Sequence, residues 1–178
     1  MNNINDNDHI VLCAVRYQPL HGYDLFKTLS KPSGIGGIWR IKIGKLYAIL
    51  NNLEAKGYIT STEEKTDNRP PKKTFSITKE GEKRSLEWLQ TPVAHGREFR
   101  QIFLAKLYYA RFEGENTEEK LIKKQIEKCQ LWLNNIKFEN KVDDGQTSFL
   151  NIVKQFRIKQ IEAYIEWLNW LLSEVKSD

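Results

Sequence analysis

Hydrophobic side chains recur every three or four positions through most of this 178-residue chain, and this spacing predicts a mainly helical protein. In the first half, the pattern predicts four helices, over residues 9–16, 20–30, 43–56 and 79–90. The period changes between the last two of them. Residues 58–63 and 73–78 are β-branched or aromatic and partly alternate, which is typical of short strands.

The order of these elements predicts a winged helix-turn-helix domain over residues 1–90. A glycine-rich turn at residues 34–37 separates the second helix from the third. The two strands form a hairpin around the basic, proline-stiffened segment 66–71. In this fold the third helix enters the major groove of DNA, and the hairpin tip lies along phosphates or in the minor groove.

The second half of the chain, residues 91–178, has a helical period throughout. It predicts three helices, over residues 97–112, 117–141 and 148–176, with Thr117 as the N-cap of the second. The last helix carries a seam at alternating spacings of three and four, which is typical of paired helices. The seam consists of Ile161, Tyr164, Leu168, Leu171 and Val175.

Two interpretations of this seam are open from the sequence: it packs on the preceding helix of the same chain, or on a second copy. The helix is also apolar away from the seam, at Phe149, Ile152, Phe156 and Trp170 among others. A chain this small has little protein with which to cover so wide an apolar surface. We therefore expect a C2 homodimer with the seam in its interface, and an all-helical dimerisation domain over residues 91–178.

Charge is unevenly distributed along the chain. The whole chain has 28 basic and 23 acidic side chains, a net charge of +5. Within residues 40–73, eight basic side chains stand against four acidic ones. A cationic excess that is confined to one short stretch indicates contact with a polyanion.

The winged-helix frame assigns positions to these cations. Three of them flank the start of the third helix and three lie in the wing. On the third helix, a tyrosine could reach a phosphate and an asparagine could reach an adenine edge. A solvated helix end and a merely solubilising asparagine are the competing explanations. We predict DNA contacts from Arg40, Lys42, Lys45, Tyr47, Asn51, Arg69, Lys72 and Lys73.

The sequence lacks the residues that other classes of function require. We find no Ser/His/Asp, Cys/His or paired-carboxylate arrangement, so we do not expect an enzyme. His9, His21 and His95 share no ligand spacing, so we expect no metal and no cofactor. No apolar stretch approaches the ~20 residues of a membrane span, and the N-terminus lacks signal-peptide features. Two widely separated cysteines fit a reducing cytoplasm.

Four blocks of residues, in order over about 75 positions, resemble the PadR family of transcriptional regulators. The blocks are His21-Gly22-Tyr23, Gly44-Lys45-Leu46-Tyr47, residues 53–59, and residues 69–78 with Glu80-Gly81. The C-terminal half resembles the longer helical tail of the subgroup that includes virulence-gene activators. There, Glu98-Phe99 and Phe103-Leu104 are similar to the first helix of that tail.

This resemblance implies a homodimer that binds palindromic, double-stranded promoter DNA, usually as a repressor, and it implies a phosphate contact for Tyr47. In several family members a small, often planar aromatic effector releases the DNA. The chain departs from the family at Lys42 and Ile43, where a serine or proline is common just before the helix-three glycine, and at Ala48, where a proline is common. No side-chain N-cap is therefore expected for the third helix.

A rival interpretation is a winged-helix module whose helical tail binds a protein partner and which has no role on DNA. The concentration of cations within residues 40–73 argues against this alternative.

Overall fold

The computed structural model describes residues 4–64, 72–138 and 148–175. Its elements are α1 (Asp6–Tyr17), β1 (Leu20–His21), α2 (Gly22–Leu29), α3 (Ile43–Ala55), β2 (Ile59–Glu64), β3 (Lys72–Ile77), α4 (Lys79–Leu89), α5 (Leu104–Phe112), α6 (Glu115–Phe138) and α7 (Ser148–Val175). Short 3-10 turns at Ile35–Gly37 and Gly96–Glu98 and a π-helical turn at Phe99–Phe103 complete them. The predicted fold class is confirmed: mainly α, with a winged helix-turn-helix followed by helices.

A three-stranded antiparallel sheet in the order β1-β3-β2 forms the base of the wing. β2 and β3 pair from Ile59 opposite Ile77 to Glu64 opposite Lys72. The short strand β1, which the sequence did not reveal, pairs Leu20 with Phe75. The second helix therefore begins at Gly22 and not at residue 20. The predicted loop 66–71 lies outside the described residues.

Capping explains where several helices begin. α1 begins at Asp6, before its predicted start, because Asn5 and Asp8 form a reciprocal capping box with two 3.1 Å hydrogen bonds. Thr78 is the N-cap of α4, since its Oγ1 accepts from the amide of Gly81 at 3.1 Å. The predicted N-cap of α6 is wrong: α6 begins at Glu115, and Thr117 lies in its first turn.

The described helices and sheet enclose two apolar cores that meet along α5. The first core joins α1–α4 and the sheet, and Ala105 and Tyr109 of α5 belong to it. The second joins the C-terminal helices, and Leu107 and Ala110 of α5 belong to that one. Residues of one short helix thus pack into both cores, so that α5 connects the two cores.

The seam of α7 packs on α6 within the same chain, so the single chain already buries most of the residues that we expected in a dimer interface. Four of its members are buried in the single chain, namely Ile161, Leu168, Leu171 and Val175. The fifth, Tyr164, is half-buried. It stacks on Phe99 with ring centroids 4.1 Å apart and donates to the carbonyl of Gly96 at 3.3 Å. The seam of α7 is thus buried against the preceding helix of the same chain, which is the first of the two interpretations that the sequence left open.

A different set of apolar side chains on α7 remains open to solvent. Phe149 is 68% exposed, Ile152 61%, Phe156 64% and Trp170 55%. At 100° per residue these four positions fall on one side of the helix, about 120° around the helix axis from the seam. We call them the α7 stripe.

A buried polar cluster lies where α1, α4 and α5 meet, around Trp88. The indole Nε1 of Trp88 donates to Asp6 at 2.8 Å, and its ring stacks on His9 at 5.3 Å between centroids. Lys106 of α5 is only 3% exposed. Its ammonium group lies 4.3 Å from the centroid of the Trp88 ring and donates to the carbonyls of Trp88 (2.6 Å) and Thr91 (2.9 Å).

This cluster shifts the pKa values of two of its members. Burial, together with the positive charges of Arg84 and Lys106, lowers the pKa of His9 to about 3. Burial also lowers the pKa of Lys106 to about 8. His9 is therefore neutral in the folded protein at every pH above about 4, whereas the unfolded chain takes up a proton below its ordinary pKa of 6.5.

We expect the folded protein to lose stability as the pH falls from 6.5 towards 3, because only the unfolded state gains the His9 proton in that window. At about pH 5 the His9 contribution to the loss is about 2 kcal/mol. A His9→Phe variant keeps a flat ring beside Trp88 and removes the titration. Urea unfolding of both proteins at pH 7.5 and pH 5 tests this. The wild type should lose about 2 kcal/mol more than the variant, and equal losses would contradict the assignment.

Candidate nucleic-acid interface

The helix α3 has one buried and one exposed face. Its buried face is fixed by four side chains that are at most 2% exposed, namely Leu46, Ile49, Leu50 and Leu53. On the other face, Ile43, Tyr47 and Asn51 follow one another at i, i+4 spacing and are exposed to solvent. The hydrophobic period therefore orients α3, and it leaves this polar and aromatic row available for contact.

The N-terminal end of α3 carries an exposed concentration of positive charge. Lys42 is the N-cap residue, and its side chain does not cap the helix, as predicted. The first backbone amides of α3 therefore have no partner within the helix. A Cβ at Gly44 would meet no atom within 4 Å, so this turn is open to an approaching surface. Arg40, Lys42 and Lys45 are all exposed around it.

Backbone and side-chain charges act in the same direction at this end of α3. The helix dipole places partial positive charge at an N-terminus, and uncapped amides there bind anions. Within the described ranges, Arg40, Lys42 and Lys45 form no ion pair. This end of α3 therefore combines three unpaired cations with free amide donors.

Tyr47 lies against Gly22, the first residue of α2. A Cβ at residue 22 would come within 2.7–2.9 Å of the end of the Tyr47 side chain, so a larger residue there would displace the ring from this position. The ring is 39% exposed. Sequence reasoning found Tyr47 but missed this reason for Gly22, because the two residues come together only in the folded structure.

The two asparagines of α3 have different surroundings. Asn51 is exposed on the same row as Tyr47. Asn52 is half-buried, and its amide nitrogen donates to Asp8 of α1 at 3.4 Å. The structure therefore leaves Asn51 available to a ligand and gives Asn52 a partner within the fold.

One predicted wing cation has an intramolecular partner. Lys73 of β3 lies 2.9 Å from Glu54 of α3, and Ser61 of β2 donates to the same carboxylate. The hydrogen bonds from Ser61 and Lys73 hold the pKa of Glu54 below its ordinary value. Glu54 therefore ties the base of the wing to α3. Lys72 lies in β3, its side chain is not described, and Arg69 falls outside the described residues.

The wing is also fixed to α4 by a backbone contact. A Cβ at Gly81 would lie 2.0 Å from the carbonyl oxygen of Tyr58, so α4 can approach β2 only with glycine at this position. The hydroxyl of Thr78 donates to the carbonyl of Gly57 at 2.8 Å. These contacts explain the Glu80-Gly81 pair of the sequence.

Two other kinds of feature are missing from the described ranges. No group of three His, Cys, Asp or Glu side chains there could hold a metal ion. No helix in those ranges is long and apolar enough to cross a bilayer.

Solved structures from several bacteria match the structure of this chain along most of its length. Bacillus subtilis PadR in complex with operator DNA is 20% identical, with a TM-score of 0.49, and the match covers 96% of this chain and 99% of that one. A PadR-like transcriptional regulator from Bacillus cereus is 25% identical (96% and 98% covered, TM-score 0.41). The Vibrio cholerae virulence activator AphA is 22% identical (96% and 98% covered, TM-score 0.41).

A curated relative matches only the N-terminal part of the chain. It is an uncharacterized 37.1 kDa protein of transposon TN4556 from Streptomyces fradiae, 39% identical over 77 residues. The match covers 43% of this chain, and it spans about a fifth (20%) of the length of that relative.

The family comparison matches the same N-terminal part. Residues 11–87 match the model of the transcriptional regulator PadR-like family, a span that includes α3 and the wing. The resemblance that the four blocks of residues indicated is thus confirmed, and this family consists of transcriptional regulators. Over this winged-helix region, which is less than half of the chain, the protein is therefore similar to the PadR-like family of transcriptional regulators.

Proposed function

We propose that this chain is a homodimeric, sequence-specific regulator of transcription whose α3 enters the major groove of promoter DNA. The observation that carries the proposal is the N-terminal end of α3, where exposed cations surround amides that no side chain caps. Cations at this end oppose the helix dipole, so they are unfavourable in the free protein. They become favourable when phosphates lie against them.

The exposed polar residues on α3 and just before it then each have a role on the duplex. Arg40, Lys42 and Lys45 bind phosphates at the edge of the groove. Tyr47 donates its hydroxyl to a further phosphate, and Gly22 supports this role because it leaves room for the ring beside the start of α2. Asn51 meets a base edge, with adenine as the matching base.

The wing extends the contact along the backbone. Arg69 and Lys72 bind phosphates beside the hairpin. Lys73 also adds positive charge there. Its first role is to attach the wing to α3, through its 2.9 Å ion pair with Glu54. Since phosphate contacts supply affinity without sequence information, specificity is left to α3.

The charge cluster is tested with Lys42→Ala/Lys45→Ala. This variant removes four cations per dimer, so the slope of log affinity against log salt should fall by up to about 3.6, and affinity by about 10- to 100-fold. Fluorescence anisotropy with duplex from upstream of its own gene and with random duplex measures both quantities. The wild type itself should lose about 10³-fold in affinity between 50 and 200 mM salt if six phosphates are neutralised.

The matched control is Lys120→Ala/Lys123→Ala, which removes the same charge from the exposed side of α6. Its affinity and salt slope should equal those of the wild type. An unchanged slope in the α3 variant would reject the assignment of Lys42 and Lys45. A wild type without salt-sensitive duplex binding would favour the protein-interaction module instead.

For the dimer we propose the α7 stripe as the interface, in place of the seam. The stripe holds three aromatic side chains and one isoleucine, each more than half exposed in the single chain. Apolar patches of this kind on a small protein mark interaction sites. A second copy is the partner that fits best, because a self-complementary stripe buries itself in one C2 contact and sets the distance between two α3 helices.

Phe156→Glu should convert the dimer into a monomer, because it places a charge in the middle of the stripe. Gln155→Glu, an exposed position one residue away on another side of α7, is the control and should remain dimeric. Analytical ultracentrifugation at micromolar concentration distinguishes the two outcomes. A wild type that is monomeric at this concentration would refute the dimer, and a dimeric Phe156→Glu would refute this interface.

The remaining parts of the proposal follow from the similarity to the PadR-like family. The winged-helix domain over residues 1–90 reads DNA, and residues 91–178 form a dimerisation domain of the longer-tailed subgroup. The two α3 helices meet palindromic half-sites about 34 Å apart, or a multiple of that distance. The protein acts in the cytoplasm as a repressor rather than an enzyme, and a small planar aromatic effector releases it from DNA by favouring another arrangement of the two protomers.

A further inference from the structure

We propose that Asn7, in the first turn of α1, positions the cationic end of α3 for sequence-specific DNA binding through a hydrogen bond to Trp39. The indole Nε1 of Trp39 donates to Asn7 Oδ1 at 2.7 Å. Arg40 follows Trp39 directly, and the segment ends at Lys42, the N-cap residue of α3. This role deepens the proposed function and rests on it, because the placement of these cations affects sequence recognition only if α3 meets a duplex.

Trp39 is held through both its backbone and its side chain. Its backbone amide donates to the carbonyl of Ile35 at 2.8 Å. Its side chain is 5% exposed and belongs to the first apolar core. Apolar packing discriminates weakly between orientations of an indole, whereas a buried N–H group needs an acceptor, so the bond to Asn7 selects one orientation. The course of the chain from Trp39 to Lys42 follows from that orientation.

The first turn of α1 also contacts α3 at a second place. Asn52, near the C-terminal end of α3, donates to Asp8 Oδ2 at 3.4 Å. Asp8 is 4% exposed, and the amide of Asn5 donates to the same oxygen at 3.1 Å. Adjacent residues of one helical turn therefore hold the segment before α3 and the far end of α3 itself. Support from a rigid helix is what precise placement of a binding residue requires.

Asp6, the residue before Asn7, forms an equivalent bond to a different element. The indole Nε1 of Trp88 donates to Asp6 Oδ1 at 2.8 Å. Trp88 lies in α4 and is 7% exposed, so this bond resembles the bond between Asn7 and Trp39 in length and in the burial of its donor. The same turn thus supplies a matched pair of bonds, one next to the cations of α3 and one to α4.

The two kinds of DNA contact depend differently on the placement of α3. Attraction between cations and phosphates acts over about 8–10 Å at ordinary salt concentrations and tolerates small displacements. A contact to a base edge needs hydrogen-bond geometry. Loss of the Asn7 bond should therefore reduce discrimination between DNA sequences much more than it reduces binding to duplex in general.

Fluorescence anisotropy of the full chain at one salt concentration tests this role with two duplexes. One is enriched from a random pool by the wild type, and the other has random sequence. Asn7→Leu keeps the approximate size of the side chain and removes the acceptor. It should bind the enriched duplex about tenfold more weakly than the wild type does, and the random duplex within about twofold. Asn7→Asp retains an acceptor and should keep the wild-type ratio of the two affinities.

Asp6→Leu is the matched control, because it removes the acceptor of Trp88 from the same turn. It should lower the thermal stability at least as much as Asn7→Leu does. Its lost negative charge should strengthen binding to both duplexes equally, so the ratio of their affinities should stay at the wild-type value. A role of Asn7 in stability alone would give the two variants the same ratio.

Trp39→Phe removes the donor of the same hydrogen bond. It should lose as much discrimination as Asn7→Leu, and the double variant Asn7→Leu/Trp39→Phe should lose no more than either single variant. An unchanged ratio in Asn7→Leu, or an equal fall in Asp6→Leu, would overturn the role of Asn7 while leaving the proposed function intact. A wild type that enriches no sequence would instead refute sequence-specific binding, and the role of Asn7 with it.

Discussion

The burial of Lys106 is the constraint on which the arrangement of the two units depends. A buried ammonium group is costly unless every donor finds a partner. Lys106 of α5 finds its partners at the end of α4, in the carbonyls of Trp88 and Thr91 and the face of the Trp88 indole. Because α5 also packs into both apolar cores, the position of α3 and the wing relative to α6 and α7 is fixed through this junction.

The surface that we assign to DNA is built by close approaches that leave no room for side chains. Gly22 lets the Tyr47 ring settle on the start of α2, and Gly81 lets α4 touch the backbone of Tyr58. Glu54 then fastens the wing to α3 through Ser61 and Lys73. The charges at the end of α3 are therefore presented on a frame whose parts are held by separate contacts.

The helix α7 combines two apolar faces with different uses. Its seam is satisfied by α6, which joins the helices into one core. The stripe of Phe149, Ile152, Phe156 and Trp170 has no such cover among the described residues, so it is the surface left for association. A sequence pattern shows that a helix is apolar on two sides, but it does not say which side meets which neighbour, since both sides obey the same helical period.

The sequence by itself determined most of the helices, the β2–β3 hairpin, the winged-helix order and the uncapped start of α3, because hydrophobic period and capping chemistry act over a few residues. It also determined the buried face of α3 from Leu46, Ile49, Leu50 and Leu53. Only the tertiary structure decided that β1 exists, that the α7 seam lies inside the chain and that Lys73 has Glu54 as its partner. These facts depend on residues far apart in sequence, whose meeting is set by the packing of whole elements and not by local spacing.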